Sequence, residues 1–466
     1  MCYTCIVPWR RRMNSKQYEI DMTHGAIFGK LIQFAIPLML SSMLQLLFNA
    51  VDVIVVGRFV GSQALAAVSS NTALINIFTT LFIGVSLGVN VIVARFFAAE
   101  DYDNVSQAVH TAVLTAFIVG IIIMIAGLSL GRSMLNLMGC PDDVIDLSTT
   151  YLKIYFLGMP FFMLYNFGAA ILKAIGDTKR PLIFLTTAGI INACFNVYLV
   201  VRWNLGVAGV AISTVTSQFI SCVLVLVTLL RADSSYKLIP KKLHINLSIL
   251  KDIFRIGIPA GLQSMIVNIA NATIQSNINS YGAITMAGYG TYMNISGFLY
   301  VSVNAVTQTA MTFVSQNFGV KDFKRIDKIC IRCAILSCII GSGLGVIICL
   351  FGSQLCGIYS TDPEVIAVAC SIIPFMTVPY GLCGIMDTLP GCMRGMGYST
   401  VPMLIHLFGV VIFRFIWMGT IYVKYPSVIC LILSFPISWV ITALLQFIAL
   451  MVVRKKVRKE YAFETA

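Results

Sequence analysis

Charge is scarce in this chain of 466 residues: Asp, Glu, Lys and Arg together make up 11% of it, and histidine occurs only 4 times. That leaves little material for enzymatic chemistry. Neither an HExxH zinc motif nor a GxSxG nucleophile turn occurs. The nearest approach to a phosphate-binding loop, GAIFGKL at Gly25 to Leu31, is one residue short and lacks the hydroxyl that would hold a nucleotide-bound metal. ATP-driven work by this chain is therefore not expected. A second glycine-rich stretch, GSGLG at Gly341 to Gly345, lies inside an apolar run, where glycine serves close helix packing. The first 21 residues have no long apolar core and no cleavage site, so no signal peptide is expected. The 14 cysteines are mostly scattered through apolar segments, where Cys behaves as a small buried hydrophobe, and no disulfide framework follows. Two CxxC pairs, Cys2 with Cys5 and Cys330 with Cys333, are too far apart in sequence to suggest a shared metal site. No cofactor is expected, and no enzyme.

What the chain has in abundance is apolar surface. Hydrophobic residues make up 58% of it, in runs that repeatedly exceed the roughly 20 residues needed to cross a bilayer. Gly, Pro and charge clusters divide these runs into spans at about 30–57, 63–93, 106–131, 144–172, 181–201, 207–230, 253–280, 285–315, 330–352, 365–392, 401–422 and 427–453. The sequence predicts an all-α polytopic membrane protein with twelve transmembrane helices.

The net charge of +13 does not point to nucleic acid, because its distribution is that of a membrane topology. With the amino terminus inside, the outer segments hold only Arg58, Arg132, Arg202 and Lys424 of the 32 basic residues. Lys153 and Arg414 fall within spans, and all the others lie on inner segments or their flanks. The positive-inside rule then places both termini in the cytoplasm.

The two halves of the chain repeat. LKAIGDTKRPL (Leu172 to Leu182) lies over MRGMGYSTVPM (Met393 to Met403), aligning Gly176 with Gly397 and Pro181 with Pro402. VARFFAAEDYDNV (Val93 to Val105) lies over VSQNFGVKDFKRI (Val314 to Ile326), aligning Phe97 with Phe318 and Asp101 with Asp322. Ile36 and Pro37 meet Ile258 and Pro259 with one residue of slippage. Each half has six spans, an even number, so the halves share one orientation and are related by a pseudo-two-fold axis along the membrane normal. The expected organisation is a cytoplasmic segment (1–28), a first lobe (29–230), a basic cytoplasmic linker (231–252), a second lobe (253–453) and a basic tail (454–466). Two like lobes able to rock about a central cavity meet the physical requirement for alternating access.

Polar stripes mark where that cavity is expected. Ser41, Gln45, Asn49 and Asp52 recur along one face of the first span, and Ser264, Asn268, Asn271, Gln275 and Asn279 along one face of the seventh. Amides in lipid are costly unless bonded, so these faces meet either a neighbouring helix or a wet cavity. The ionisable residues within spans are few, led by Asp52, Lys153, Asp387 and Arg414, and such residues are candidate functional sites by default. At 1.5 Å per residue, Asp52 lies about 8 Å below the outer end of the first span, Asn196 at about the same depth on the fifth span with Asn192 one turn deeper, and Lys153 about 13 Å down the fourth. A carboxylate partly withdrawn from water can bind a proton near neutral pH, and the same oxygen ligands at Asp52 can hold a sodium ion. A permanent ion pair of Asp52 with Lys153 or Arg58 is the structural alternative. Pairing of Asp387 with Arg414 is open, and His110 and His406 are read as ordinary helix residues.

The chain resembles the multidrug and toxic compound extrusion (MATE) family in IPLMLSSMLQLLFNAVDVIVVGRFVGSQALAAVS (Ile36 to Ser69), in LKAIGDTKRPLIF and in CMRGMGYSTVPM. The similarity extends from about Gly25 to Arg454. It implies an efflux antiporter of twelve helices in two lobes, driven by protons or sodium. The family's first-span acid falls on Asp52 and its fifth-span asparagine on Asn192. Asn196 stands where relatives often carry an acid, and no acid appears in the seventh span near Asn268. Asp387 resembles a tenth-span acid of relatives. The expected reading is an exporter of amphipathic or cationic small molecules, monomeric, in the plasma membrane of a prokaryote. Asp52, Asn192, Asn196, Lys153 and Asp387 are its candidates for coupling; Gln45, Asn49, Asn268, Asn271, Gln275 and Arg414 are its candidates for the cavity. A lipid-linked saccharide flippase is one alternative, and a channel is a more distant one.

Overall fold

In the computed structural model, residues 18–464 are described. Cys2, Cys5 and the first part of the expected cytoplasmic segment lie outside the described residues, as does the end of the tail. The first three spans are single helices: α1 (Ile27–Phe59), α2 (Ser62–Ala98) and α3 (Tyr102–Leu137). The fourth is a pair, α4 (Asp142–Leu157) and α5 (Met159–Ala174), bent by 47° where Gly158 precedes Pro160. The fifth, α6 (Lys179–Val197), ends in a π-helical turn at Tyr198–Arg202, and α7 (Gly206–Leu230) is the sixth.

The second half repeats this plan. It runs through α8 (Leu247–Asn279), α9 (Ala283–Gly319), α10 (Phe323–Leu350) and a short α11 (Gly352–Tyr359). A second bent pair follows, α12 (Pro363–Thr377) and α13 (Tyr380–Gly395), at 48°. The eleventh span is α14 (Thr400–His406) and α15 (Phe413–Trp417), interrupted and followed by π-helical turns at Leu407–Ile412 and Met418–Tyr422; α16 (Val428–Glu464) closes the chain. Among the described residues there is no strand.

These elements make twelve spans in two lobes. Of the described helices, 9 are long and apolar enough to cross a bilayer alone, and the bent pairs raise the number to 11. The remaining span is α9, whose low hydropathy has a structural cause. Thr307, Thr309, Thr312, Ser315, Gln316 and Asn317 are buried within it, and their partners are protein rather than lipid.

The repeat is visible in the backbone as well as in the sequence. Asp101 caps α3 by accepting from Asn104 N–H at 3.2 Å, and Asp322 caps α10 by accepting from Arg325 N–H at 2.9 Å. Gly176 and Gly397 take φ of 97° and 93°, a left-handed conformation that stops the helix before each. Two boundaries differ from expectation. Asn246 caps α8 so that the helix starts at Leu247, inside the segment read as linker, and α16 continues through the basic residues beyond 453. In both places a polar helical turn protrudes past the apolar span, which hydropathy alone does not register.

The lobes exchange their leading halves. Ile27, Leu31, Phe34 and Leu38 of α1 are buried in the core of the second lobe, while Ile249, Ile253 and Ile256 of α8 are buried in the core of the first. Between them α2 and α8 cross at paired GxxxG motifs: a Cβ added to Gly84 would lie 2.4 Å from Gly261 Cα, and one added to Gly257 would lie 2.4 Å from Val85 Cα. On the other side of the seam Phe34 of α1 meets Phe313 of α9 edge-on at 5.7 Å. Close to the pseudo-two-fold axis, Thr312 donates to Asn90 Oδ1 at 3.0 Å. All these contacts lie toward the end of the bundle that carries the chain termini. Toward the opposite end, Leu47, Asn49, Ala50, Val53 and Ile54 of α1 are exposed.

Candidate coupling and binding sites

In the first lobe, α1 delivers Asp52 to a polar cluster made by three other helices. Asn196 of α6 donates from Nδ2 to Asp52 Oδ1 at 2.6 Å. Asn192 lies one turn earlier on the same face; with its amide nitrogen toward the carboxylate it donates to the same oxygen at 3.0 Å, and its own oxygen accepts from Thr214 N–H at 3.3 Å. Thr214 of α7 is itself within hydrogen-bonding reach of Asp52. Tyr151 and Tyr155 of α4 stack at 6.0 Å and are close enough to feel the charge of Asp52. Asn192 and Asn196 are buried, whereas Asp52 is half-buried. The π-helical turn that follows Asn196 loosens the helix just where these amides are presented.

Asp52, Asn192 and Asn196 thus meet at one depth, as the rise per residue predicts, but Lys153 does not join them. It sits two residues from each of the two tyrosines, so it projects roughly 200° away around α4, and it is exposed. Arg58 is also exposed, near the end of α1. Among the described residues no cation pairs with Asp52. Its neighbours are neutral hydrogen-bond donors.

The second lobe has the opposite polarity at the corresponding helix pair. Arg414 of α15, 2% exposed, donates from Nη1 to Asn271 Oδ1 of α8 at 2.7 Å and from Nε to Ser438 Oγ of α16 at 3.3 Å, and its guanidinium lies 4.1 Å from the centre of the Phe435 ring. Asp387 is not its partner. The carboxylate of Asp387 on α13 meets His406 of α14 instead, with Nε2 at 3.4 Å from Oδ1. Arg394 and Tyr300 stand near enough to Asp387 to interact with its charge. The reading of His406 as an ordinary helix residue thus misses a contact that equal depth on the tenth and eleventh spans would have suggested. Tyr151, Tyr155 and Thr214 were missed for a different reason: as uncharged residues in apolar runs they give no sequence signal.

The polar stripes divide. Gln45 and Asn49 of α1 and Asn268 of α8 are exposed, Asn271 is engaged by Arg414, and Gln275 donates to Asn279 Oδ1 at 2.8 Å within its own helix. His110, read as an ordinary residue, clasps the linker: its Nε2 accepts from Ile239 N–H at 3.0 Å. Cys330 and Cys333 are buried free thiols, and among the described residues no group of His, Cys, Asp and Glu could hold a metal ion.

Two six-helix lobes in the same orientation, joined at one end and with exposed amides toward the other, have the architecture of a membrane transport protein. Comparison with known proteins makes the family definite. The MatE family model matches twice, over residues 37–198 and 259–417, one match in each lobe. The chain belongs to this family, the multidrug and toxic compound extrusion transporters. A probable multidrug resistance protein of Bacillus subtilis, YoeA, is 27% identical over 393 residues, covering 83% of this chain and 85% of that protein. The multidrug export protein MepA of Staphylococcus aureus is 21% identical over 376 residues, covering 80% and 82%. Among solved structures, an outward-facing multidrug resistance MATE family transporter superposes with a TM-score of 0.88 at 19% identity, covering 94% of this chain and 98% of that one.

Proposed function

We propose that this protein is a secondary active exporter of amphipathic, often cationic, small molecules, coupled to inward movement of protons through Asp52. The observation that carries the reading is the environment of Asp52: a half-buried carboxylate that accepts from Asn196 Nδ2 at 2.6 Å and faces the Asn192 amide one turn away on α6, with no cation beside it among the described residues. Protonation removes the charge that Asn192 and Asn196 hold, and so weakens the tie between α1 and α6. Because α1 begins in the core of the second lobe and continues into the first, a change in its packing bears on both lobes.

The positive-inside rule assigns the closed, termini-bearing end to the cytoplasm, which makes this conformation outward-open, in the cell membrane of a prokaryote. The exposed amides Gln45, Asn49 and Asn268 offer a substrate donors and acceptors without fixed geometry, as broad specificity requires. Sodium is the competing ion; it would need oxygens beside Asp52, and Asn196, which presents its N–H there, has to rotate its amide to supply one. A flippase for phosphate-linked saccharides is disfavoured, since Lys153 points away from the cluster and Arg414 is engaged by Asn271 and Ser438. The seam closed by the GxxxG crossing speaks against a channel.

The test is efflux of ethidium from proteoliposomes under an imposed proton gradient, then under a sodium gradient, with the wild type and Asp52→Asn. Proton-driven efflux that disappears in a folded Asp52→Asn protein supports the reading. Efflux driven by sodium alone keeps the site and changes the ion, and undiminished coupling in the variant refutes the role of Asp52.

A further inference from the structure

The carboxylate of Asp387 has a partner that its counterpart region in the first lobe lacks. At the repeat offset, Asp387 lies over Asn166 and His406 over Leu185, so the pair belongs to the second lobe alone. We propose that His406 and Asp387 form a second proton-binding dyad, in which the imidazole takes up and releases the proton; this rests on the reading of the protein as a proton-coupled exporter.

The geometry around the ring is the argument. His406 is 1% exposed, and its Nδ1 faces two groups of opposite kind: Gln446 Nε2 of α16, a donor, at 2.9 Å, and the Pro402 carbonyl, an acceptor, at 3.1 Å. When the ring is neutral, Gln446 donates to the lone pair of Nδ1, and the ring proton sits on Nε2 facing Asp387 Oδ1 at 3.4 Å. When the ring is protonated, Nδ1–H donates to the Pro402 carbonyl, while Gln446 keeps its own bond to that carbonyl at 3.0 Å. Each protonation state therefore finds a partner for Nδ1 already within reach. A histidine with a purely structural role needs partners for only one state.

The surrounding charges suit this cycle. On α13, Arg394 lies near Asp387 and is fixed by Gln263 of α8, to which it donates at 2.7 Å. Cys383 and Tyr380 on α13 and Tyr300 on α9 are the other titratable groups within electrostatic reach of Asp387, while α16 presents the neutral Gln446. Arg394 balances Asp387, so a proton arriving on His406 adds a net positive charge, and losing it restores neutrality. The Asp387 side chain is 19% exposed against 1% for His406, so the proton reaches the imidazole by way of the carboxylate. An N–H group pointing at Asp387 also leaves an incoming sodium ion no place there.

The experiment measures the proton-to-ethidium ratio in proteoliposomes, from the proton gradient that just balances an opposing ethidium gradient, together with the pH dependence of efflux. With one proton at Asp52 and one at the dyad, the wild type should exchange two protons per ethidium. His406→Gln should lower this by one and flatten the pH dependence while the protein still binds ethidium. A His406→Gln protein with the wild-type ratio and pH profile refutes the dyad and leaves the exporter reading intact; a wild type without proton-driven efflux refutes that reading itself. Should His406→Gln fail to fold, Gln446→Leu serves instead. It removes the donor that supports the neutral ring, so the midpoint of the pH profile should rise by roughly half to one unit, the equivalent of one hydrogen bond. An unmoved midpoint refutes the dyad.

Discussion

Arg414 donates to Asn271 at 2.7 Å across the seventh and eleventh spans, where Asn196 and Asp52 join the fifth and first spans at 2.6 Å. The same helix pair thus carries a fixed cation in one lobe and an exchangeable anion in the other. Arginine does not lose its proton in the physiological range, so the second contact is permanent where the first can switch. Replacing the acceptor should therefore affect stability. Asn271→Leu leaves a buried guanidinium without its shortest bond and should cost about 1.5–3 kcal/mol, the range for hydrogen bonds to charged groups. Thermal unfolding of the single and double variants with Arg414→Gln checks this, and additive effects would mean that the bond contributes nothing specific.

The first-lobe cluster makes a contrasting prediction for two residues placed at similar depth. Asn196→Leu removes the 2.6 Å donor from Asp52, which disfavours the carboxylate relative to its protonated form, and the pH at which efflux is half-maximal should rise by about one unit or more. Lys153→Gln, which alters an exposed side chain away from the cluster, should leave the pH profile where it is. A profile that moves with Lys153 and stays put with Asn196 would reverse the assignment.

How much of this was readable beforehand depends on which property carried it. The span pattern follows from hydropathy, the repeat from aligned residues of the two halves, and the Asp52–Asn196 juxtaposition from a rise per residue; all three survive averaging over side-chain direction. Azimuth does not: depth alone put Lys153 beside Asp52, and only the phase set by Tyr151 and Tyr155 turns it away. The eleventh span is harder still, because π-helical turns at Leu407–Ile412 and Met418–Tyr422 break the period that would have told which way Arg414 faces. The span α9, too polar for a hydropathy threshold, is still delimited in the sequence by the glycine and charge clusters at its two ends.

The crossing of α2 and α8 should be intolerant of any side chain. Gly84→Ala places a methyl group 2.4 Å from backbone atoms of Gly261, so the helices must separate, at a cost of about 1–3 kcal/mol. Gly343→Ala, in the apolar ninth span, meets nothing within 4 Å and is the control. The expected result is a lowered melting temperature for the first variant in detergent and little change for the second; equal melting would mean that the seam relaxes freely.

The segment ahead of α1 straps the two lobes together at the termini end. Arg325 of α10 donates to the carbonyls of Met22 at 3.1 Å, His24 at 2.9 Å and Gly25 at 3.0 Å. Tyr236 of the linker, packed on the first lobe, donates to Glu19 at 3.2 Å, and the Arg180 guanidinium of the first lobe lies 4.9 Å from the Tyr18 ring. Alternating access requires this end to open, so the strap must let go of one lobe. Arg325→Ala should raise hydrogen exchange across residues 18–26 without changing exchange in α3, a core helix of the first lobe. Unchanged exchange in the strap would show that its other contacts, among them Asn317 donating to the Met22 carbonyl at 3.2 Å, hold it without Arg325.

Beside that strap, at the turn between α5 and α6, Asp177 ties stability to pH. Burial pushes its carboxyl up from 3.8 to about 6, and the pull of Arg180 in the opposite direction only partly offsets this. The folded protein accordingly holds a proton there over a range in which the unfolded chain has already released it. The stabilisation is fully present below 3.8 and is lost as the pH rises to about 6. Asp177→Asn has nothing to titrate, so the melting temperature of the wild type relative to this variant should fall between about pH 4 and 6 and level off above that. A difference that stays constant across the interval would mean that the contact with Arg180 Nε, at 2.8 Å, keeps the carboxylate ionised throughout.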